Sequence, residues 1–584
     1  MPDVFRLVVI KPTRYDDQGY PIQWWRSTVP SNSLACIVGL ARDCNRRRVL
    51  GHDVEIVIEP VDEGNRRVEP EKIAREIGKG NGLVALAGVQ TNQFPRALDL
   101  ARKFRALGIP VCVGGFHVSG VYAMLKMPTP EIEEALAMGV SLFLGEAEEG
   151  RLDQVLRDAA AGSLKPVYDY LNALPNIAGE PIPFLPRDVV KRTVSSVSSF
   201  DVGRGCPFQC SFCTIINVQG RKSRFRTGAD LEAILKANLA EGIDRFFVTD
   251  DNLARNKNWE ELFDTIIRVM EETGRKLFLT IQVDTLCHHI AGFIEKAVKA
   301  GVHQVFVGLE NINSDNLQAV KKKQNRITDY REMLLAWKKH PVMISAGYIV
   351  GFPNDTRQSL LNDIEIIKRE LPLDFLFLNY LTPLPGCEDH RRLVDQGVWM
   401  DPDLNKYDLL HRVTKHPVMS DEEADRTYSD LWARYYCHDH MVTVLRRAYA
   451  TGQGKAWRIV VLFTLLSIYN TGYFRHYRFE WGLFPRRYRK DRRPGRPIES
   501  PLVFYPRLAL DLALFGILYA WRFGRLRLAL WRIRRDPHRD TYRDAAVTPP
   551  DSHEFEDHAL YHQTRGADEA VERAKRRTRR PIDA

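Results

Sequence analysis

The sequence lacks three features that would place it outside the cell or across a membrane. Its nine cysteines are an odd number and show no rhythm typical of disulfides. No signal peptide opens it, because Met-Pro-Asp-Val-Phe-Arg leads directly into an apolar, strand-like run. Of its two apolar stretches, Trp457–Tyr469 is too short for a bilayer, and Asp511 interrupts Leu508–Phe523. We therefore expect a protein of the reducing cytoplasm.

The overall composition is that of an ordinary globular protein, with 44% hydrophobic and 27% charged residues. A length of 584 residues allows about three to four domains. The charge is unevenly distributed, because the segment 451–543 contains 20 Lys and Arg against 6 Asp and Glu, whereas the whole chain has a net charge of +10. Such a basic segment suggests contact with an anionic membrane surface or with nucleic acid.

Three of the cysteines stand close together in the run Gly203-Arg-Gly-Cys-Pro-Phe-Gln-Cys-Ser-Phe-Cys213. The spacing Cys-x3-Cys-x2-Cys lets three thiolates surround one face of an iron–sulfur cube and leaves the fourth iron without a protein ligand. An iron with an open position can bind and activate a substrate. The alternatives are three unrelated cysteines or a zinc site, although zinc sites favour Cys-x2-Cys pairs.

The first part of the chain, residues 1–176, alternates short apolar runs with helix-like segments, which predicts a parallel sheet covered by helices on both sides. In such folds ligands bind beyond the carboxyl ends of the strands. The candidate loops are 89–92, 114–120 and 145–148, where glycines let the backbone approach a flat ligand. A doubly wound domain without a ligand is the alternative.

The second part, residues 195–400, follows a proline-rich linker at 177–194 and repeats strand–helix units. This repetition predicts a parallel (β/α) barrel, full or partial. The candidate loops after its strands are 249–252, 308–310 and 348–353. An isolated acidic residue in such a loop could instead cap a helix.

The third part divides into a helical, basic region at 401–548 and a charged tail at 549–584, which we expect to be disordered. The apolar runs of the basic region are bordered by Trp, Tyr and Arg, which is typical of helices lying in a membrane interface. An ordinary helical domain covering the barrel mouth is the alternative.

The cysteine run, together with the loops after the barrel strands, resembles the pattern of the radical S-adenosylmethionine (radical SAM) enzymes. The resemblance implies that Cys206, Cys210 and Cys213 bind a [4Fe-4S] cluster whose open iron holds SAM, which is cleaved to a 5′-deoxyadenosyl radical. It also implies further SAM contacts, namely Phe212 and Gly351 near the adenine, Asp250 or Asp251 on the amino group, and Glu310 on the ribose.

The first part resembles the cobalamin-binding domain found ahead of radical SAM domains, through its Gly-Gly-x-His and Gly-Glu-x-Glu runs. One feature of many cobalamin proteins is missing, the Asp-x-His-x-x-Gly run that supplies an axial histidine to cobalt. We therefore do not assign His117 to cobalt, and expect it to line the cofactor pocket or cap the following helix. The resemblance implies these cobalamin contacts: Thr91, Gly114, Gly115, His117, Gly145 and Glu146.

Over its first 400 residues the chain is therefore similar to cobalamin-dependent radical SAM enzymes. This implies an α/β protein with a doubly wound, Rossmann-like cobalamin-binding domain, a radical SAM partial (β/α) barrel and a mainly helical C-terminal region. The expected activity is methylation of an unreactive carbon of a small, lipophilic or lipid substrate, with electrons from a flavodoxin or ferredoxin. We expect peripheral contact with the inner face of the membrane and no nucleic-acid partner.

Two alternatives to methylation stay open. Some relatives, such as the anaerobic cyclase of bacteriochlorophyll synthesis, carry out radical cyclisation or rearrangement without methyl transfer. An RNA-binding or sensor protein is the alternative of another class, but the sequence has no recognisable RNA-binding module.

Overall fold

The computed structural model describes residues 3–78, 81–452, 456–469, 474 and 482–578. Two parallel six-stranded sheets, each covered by helices, follow one another along the chain, and a mainly helical region comes last. The predicted α/β architecture is confirmed. The limits predicted for the individual domains stay predictions.

The first sheet is parallel throughout and has the strand order β3-β1-β4-β5-β6-β7. Its interior strand β1 carries the run Leu7–Ile10, which is buried on both faces, as a parallel strand between two helical layers requires. The strands are β1 (Asp3–Lys11), β2 (Gln23–Ser27, outside this sheet), β3 (Val54–Asp62), β4 (Gly82–Leu86), β5 (Val111–Gly114), β6 (Ser141–Leu144) and β7 (Val167–Asp169). The helices are α1 (Asn32–Arg46), α2 (Pro70–Ile77), α3 (Phe94–Ala106), α4 (Phe116–Leu125), α5 (Pro130–Ala137) and α6 (Arg151–Ala160).

The second sheet, also parallel, has the order β15-β14-β13-β12-β11-β8, so neighbouring strands follow one another in sequence and form an open, partial barrel. Its strands are β8 (Val197–Phe200), β11 (Arg245–Val248), β12 (Phe278–Val283), β13 (Val302–Glu310), β14 (Met343–Val350) and β15 (Phe375–Tyr380), and a separate antiparallel pair is formed by β9 (Gly203–Arg204) and β10 (Arg224–Phe225). The helices are α7 (Arg187–Val190), α8 (Ile215–Val218), α9 (Gly228–Ala240), α10 (Trp259–Thr273), α11 (Phe293–Lys299), α12 (Ser314–Ala319), α13 (Tyr330–Lys338), α14 (Arg357–Glu370) and α15 (Glu388–Asp395).

The C-terminal region packs helices against the barrel and contributes one strand, β16, that pairs with β2 near the start of the chain. Its elements are α16 (Asp421–Tyr435), α17 (His438–Ala450), α18 (Ala456–Tyr469), β16 (Gly482–Arg486), α19 (Pro501–Arg535), α20 (Glu554–Asp557) and α21 (Arg565–Thr578). The apolar run in α18 is a core helix, because Val460, Phe463 and Leu466 are almost fully buried. The expectation that this run lies in a membrane interface is therefore wrong.

The prediction of a disordered tail is also wrong for residues 554–578, which form α20 and α21 on the side of the barrel. The buried side chain of Arg331 in α13 holds this segment, since its Nε lies 2.5 Å from Glu554 Oε1. Leu560 and Tyr561 are fully buried beside it. A segment poor in apolar residues can therefore be ordered when its few apolar side chains and charges find partners elsewhere in the chain.

Candidate active site

The three clustered cysteines lie on one loop beyond the carboxyl end of β8. The loop is closed at its base by the antiparallel pair β9 and β10, in which Arg204 stands opposite Arg224. All three cysteines are free thiols, and Cys210 is buried whereas Cys206 and Cys213 are half-buried. A single loop thus presents the three sulfurs that the sequence predicts as cluster ligands.

Burial raises the pKa of Cys206 and Cys213, while nearby N–H groups act in the opposite direction and favour the thiolates. Such donors stabilise thiolate charge and tune the potential of an iron–sulfur cluster, so the environment fits the predicted group. Within the described residues no three His, Cys, Asp or Glu side chains surround a single metal-ion position. An iron–sulfur cube does not need such a cluster of side chains, because each thiolate binds a separate iron. Gln324 Nε2 donates to Cys210 Sγ at 3.4 Å. The backbone amide of Phe208 favours the thiolate of Cys206, and the backbone amides of Ile215 and Ile216 favour that of Cys213.

Glu310, at the end of β13, brings a carboxylate and a buried cation to the cysteine loop. Its φ is +62°, a left-handed conformation that is uncommon outside glycine and that clusters at functional sites. Glu310 Oε1 accepts a hydrogen bond from Lys322 Nζ at 2.6 Å. The Lys322 ammonium lies 5.9 Å from the centre of the Phe212 ring, and its charge acts on Cys210 and Cys213. Residues far apart in sequence therefore meet above this strand end.

The two neighbouring aspartates after β11 have different surroundings. Asp250 is buried, and its Oδ1 accepts the backbone N–H of Val202 at 2.8 Å, so it supports the chain that leads into the cysteine loop. Burial raises the pKa of Asp250 to about 7. Asp251 is exposed, and its charge acts on Cys206 and Cys213. Of the pair, Asp251 is the carboxylate that a ligand could reach.

Gly351 follows β14 and lies close to the predicted aromatic contact. Its φ of +95° favours glycine, and its N–H donates to Asp355 Oδ2 at 2.8 Å. The next residue, Phe352, is fully buried in a small apolar cluster against which Phe212 packs. The two residues predicted near adenine are thus brought together at one side of the cysteine loop.

A cleft with a cavity volume of about 170 Å³ opens beyond the carboxyl ends of β4, β5 and β6. Of the predicted cobalamin contacts, Gly114, Gly115, Gly145 and Glu146 line it. Its largely apolar floor fits a flat cofactor, and its position is the one at which parallel sheets bind ligands. The apolar lining includes Ile37, Leu40, Leu83, Ala85, Cys112, Phe143, Leu152 and Val155.

The cleft and the cysteine loop share a wall. Arg204, which precedes Cys206, and Val218 and Gln219, which follow Cys213, line the cleft on its barrel side. A cofactor in the cleft would therefore touch the segments that flank the cysteines on both sides.

Thr91 and His117 lie together but do not line this cleft. The His117 ring is fully buried, with its centre 4.3 Å from that of Phe94 and its Nδ1 3.4 Å from Thr91 Oγ1. His117 Nε2 lies 3.4 Å from a carboxylate oxygen of Glu131. No histidine lines the cleft in the described part of the chain. The roles of Thr91 and His117 in cobalamin binding stay predictions, and the geometry of these two residues gives them no support.

The glycines of the cleft loops serve the packing of the backbone. A Cβ on Gly115, whose φ is +143°, would overlap the backbone of Gly88 and Val89. A Cβ on Gly145, at φ +93°, would press on the backbone of Tyr170. The loops could not take these paths with a side chain present, which is a different reason from the close approach to a ligand that the sequence suggested.

Three residues of the site were not found from the sequence, namely Arg204, Lys322 and Gln324. Lys322 belongs to the run Lys321-Lys-Lys323, which has the pattern of a solvated face, although its side chain is only 10% exposed. Arg204 stands two residues before Cys206, and this proximity is a signal that could have identified it.

Comparison with known proteins gives the same assignment for the barrel. Residues 200–367 match the radical SAM superfamily. The Chlorobaculum tepidum protein named bacteriochlorophyllide d C-8(2)-methyltransferase is 27% identical over 362 residues, which cover 59% of this chain and 76% of that protein. The Rhodopseudomonas palustris protein named hopanoid C-2 methylase is 24% identical, over 51% of this chain and 55% of that protein.

Among solved structures, the fold is similar to that of the radical SAM methyltransferase TsrM from Kitasatospora setae with cobalamin and a [4Fe-4S] cluster bound. The TM-score is 0.51 at 14% identity, and the match covers 82% of this chain and 98% of that one. At this identity the likeness concerns the fold. Residues 200–367 therefore form a radical SAM domain, and the chain has a fold similar to that of a cobalamin-dependent radical SAM enzyme.

Proposed function

We propose that this protein transfers a methyl group from SAM to an unreactive carbon of a small, lipophilic molecule, using cobalamin. The observation that carries the proposal is the wall shared by the cleft and the cysteine loop, formed by Arg204, Val218 and Gln219. It would hold the two cofactors within reach of one substrate, and such proximity is a large part of catalysis. When bound, the cluster supplies the electron for SAM cleavage and cobalamin carries the methyl group.

The residues at the strand ends would hold SAM in this scheme. We assign Phe212 and Gly351 to the adenine, Glu310 to the ribose and Asp251 to the amino group. Asp250 is the weaker candidate, because its carboxylate already binds the backbone of Val202. Lys322 would keep Glu310 ionised and oriented, since a hydrogen-bonded cation beside a carboxylate stabilises its charged form.

The names of the two similar proteins support a lipophilic substrate. One is a methyltransferase of a bacteriochlorophyllide and the other a methylase of a hopanoid, and both compounds carry large apolar ring systems. We propose a substrate of this apolar kind, and a reductant of the flavodoxin or ferredoxin type.

The products formed from SAM test the proposed reaction. The anaerobically reconstituted protein, supplied with SAM carrying a trideuterated methyl group and a panel of hopanoids and chlorophyllides, is expected to yield 5′-deoxyadenosine and S-adenosylhomocysteine together. Mass spectrometry should find the label in an apolar product. Formation of 5′-deoxyadenosine with a converted but unlabelled product would contradict methyl transfer and indicate cyclisation or rearrangement.

We further propose that α19 contacts an anionic membrane surface. It is the one helix in the described part of the chain that is long and apolar enough to cross a bilayer by length and composition. One side of it packs on the protein through Phe515, Leu526 and Leu530, so we expect it to lie on the bilayer and not to cross it. Leu502 and Ile517 on its outer side are 87% and 65% exposed.

Charge complementarity supports this choice of partner. Arg525, Arg527 and Arg532 of α19 are exposed, and the Arg525 guanidinium lies 5.0 Å from the centre of the Trp521 ring. Trp521 and Trp531 are exposed among them, as is typical of the membrane interface. A helix that exposes both apolar and basic side chains on its outer side is better suited to an anionic lipid surface than to water.

Vesicle binding tests the membrane contact. The intact protein is expected to co-sediment with vesicles containing phosphatidylglycerol at low salt and to be released by high salt. Replacing Arg525 and Arg527 with Gln should weaken binding roughly 30-fold, at about 1 kcal/mol for each arginine near the surface. The matched control replaces Arg46 and Arg75, which lie outside α19, with Gln. If the intact protein stays in the supernatant at low salt, α19 is a soluble cover and the proposed contact is wrong.

A further inference from the structure

The base of the cysteine loop carries an unusual pair of like charges. Arg204 on β9 and Arg224 on β10 stand directly opposite each other, and like charges at such positions destabilise an antiparallel pair. One carboxylate compensates both, since Glu146 Oε2 lies 2.6 Å from Arg204 Nη1 and Glu146 Oε1 lies 2.5 Å from Arg224 Nη2. Glu146, from the loop after β6, therefore binds both ends of the cysteine loop at its base.

Glu146 belongs to the cleft and not to the barrel. It follows Gly145 in the loop after β6, and its side chain is nearly buried. Both carboxylate oxygens accept hydrogen bonds from the two arginines, so the side chain is engaged within the protein and is not available to a cofactor. Its predicted role as a cobalamin contact is therefore better replaced by a role in holding the loop.

Arg204 makes further contacts that fix its orientation. Its Nη2 lies 2.7 Å from Glu148 Oε1, in the same cleft loop, and its Nε lies 2.9 Å from Asp201 Oδ2, just before β9. The side chain is 9% exposed. A planar guanidinium bound to three carboxylates in different directions has one possible placement, which Lys could not reproduce with its single nitrogen.

We propose that Arg204, Arg224 and Glu146 form a clamp that sets the separation and orientation of the cysteine loop relative to the cobalamin cleft. Arg204 and Arg224 are positioning residues, since their hydrogen bonds hold the loop and the cleft and neither is assigned to the reacting atoms. The inference rests on the proposed cofactors, a cluster on the loop and cobalamin in the cleft, but does not require that the reaction be a methylation. Catalytic constellations need their parts held within about 0.5 Å, and a clamp between two sheets supplies that constraint.

The separation of the two cofactors tests the clamp directly. In the full-length protein loaded with both, the one-electron-reduced cluster and Co(II) cobalamin are paramagnetic, and pulsed electron paramagnetic resonance reports the distribution of distances between them. The Arg204→Lys and Arg224→Lys variants are expected to keep their iron and cobalamin contents while this distribution widens roughly twofold or more. The control is Arg96→Lys, because Arg96 is a buried arginine on Glu63 that lies outside the cleft wall. Distributions that match the wild-type protein in both variants would overturn the proposal.

A second measurement decides the case in which a variant loses a cofactor. Hydrogen exchange is followed in the cofactor-free, full-length protein before and after cobalamin is added. In the wild-type protein, cobalamin should slow exchange in the cleft loop 143–148 and in the cysteine loop 204–213. In Arg204→Lys we expect cobalamin still to slow exchange in 143–148 but no longer to slow it in 204–213. Equal protection of both loops in the variant would refute the clamp, and neither measurement depends on which product the enzyme makes.

Discussion

Replacing Cys206, Cys210 or Cys213 with Ala is expected to abolish iron loading and reductive cleavage of SAM. Each thiolate binds a different iron of the cube, so the loss of one exposes a second iron and leaves the cluster without a stable attachment. The loss of iron should be complete, because no other described cysteine lies on this loop to replace the missing ligand. Iron content, the visible absorption of the cluster and the yield of 5′-deoxyadenosine measure it.

The control for this prediction is Cys437→Ala. Cys437 is a half-buried free thiol that precedes α17, well outside the loop between β9 and β10, and its removal should leave iron and SAM cleavage at wild-type levels. A triple variant that lacks Cys206, Cys210 and Cys213 but still cleaves SAM at the normal rate would end the assignment of this loop as the cluster site.

The second large effect is expected at Lys322. The Lys322→Met variant keeps most of the side-chain volume but removes the ammonium that binds Glu310, so the carboxylate loses its partner beside the cysteine loop. We expect the affinity for SAM to fall roughly 10- to 100-fold, since hydrogen bonds to charged groups contribute about 1.5–3 kcal/mol. Equilibrium binding of SAM to the anaerobically reconstituted protein measures the loss.

The neighbouring residue provides the matched control. Lys321 carries the same charge, but its side chain is 47% exposed and pairs with Glu388 on the surface. Surface ion pairs of this kind contribute little, so Lys321→Met should bind SAM as the wild-type protein does. Equal affinities in the two variants would show that Lys322 acts only through the overall charge of the protein.

Much of the barrel could be predicted from the sequence. The strand–helix units predicted over residues 195–400 are present as β8 and β11 to β15 with helices between them. Buried parallel strands are near-continuous apolar runs, and this pattern is local. That Phe212, Glu310 and Gly351 would meet was also predictable, because the carboxyl ends of parallel strands share one edge.

What the sequence could not predict depends on partners distant in the chain. The apolar run of α18 has the same pattern whether it lies in a membrane interface or in a core, and only the packing of Phe463 and its neighbours decides between them. The order of α20 and α21 depends on Arg331, more than 200 residues earlier. The partners of Arg204 were not predictable for the same reason, since its three carboxylates come from two separate parts of the chain.

The pairing of β2 with β16 has a consequence for how the protein is made. Gln23–Ser27 pairs with Gly482–Arg486 in antiparallel register. During synthesis, this strand near the start of the chain therefore emerges about 450 residues before its partner. At a synthesis rate of about 5–20 residues per second, β2 stays without this partner for roughly 20–90 seconds on the ribosome. An unpaired strand edge is a site for wrong association, and a fragment ending at residue 400 would keep that edge permanently. Residues 1–176 should therefore be produced together with the C-terminal region, because β16 supplies the partner strand of β2.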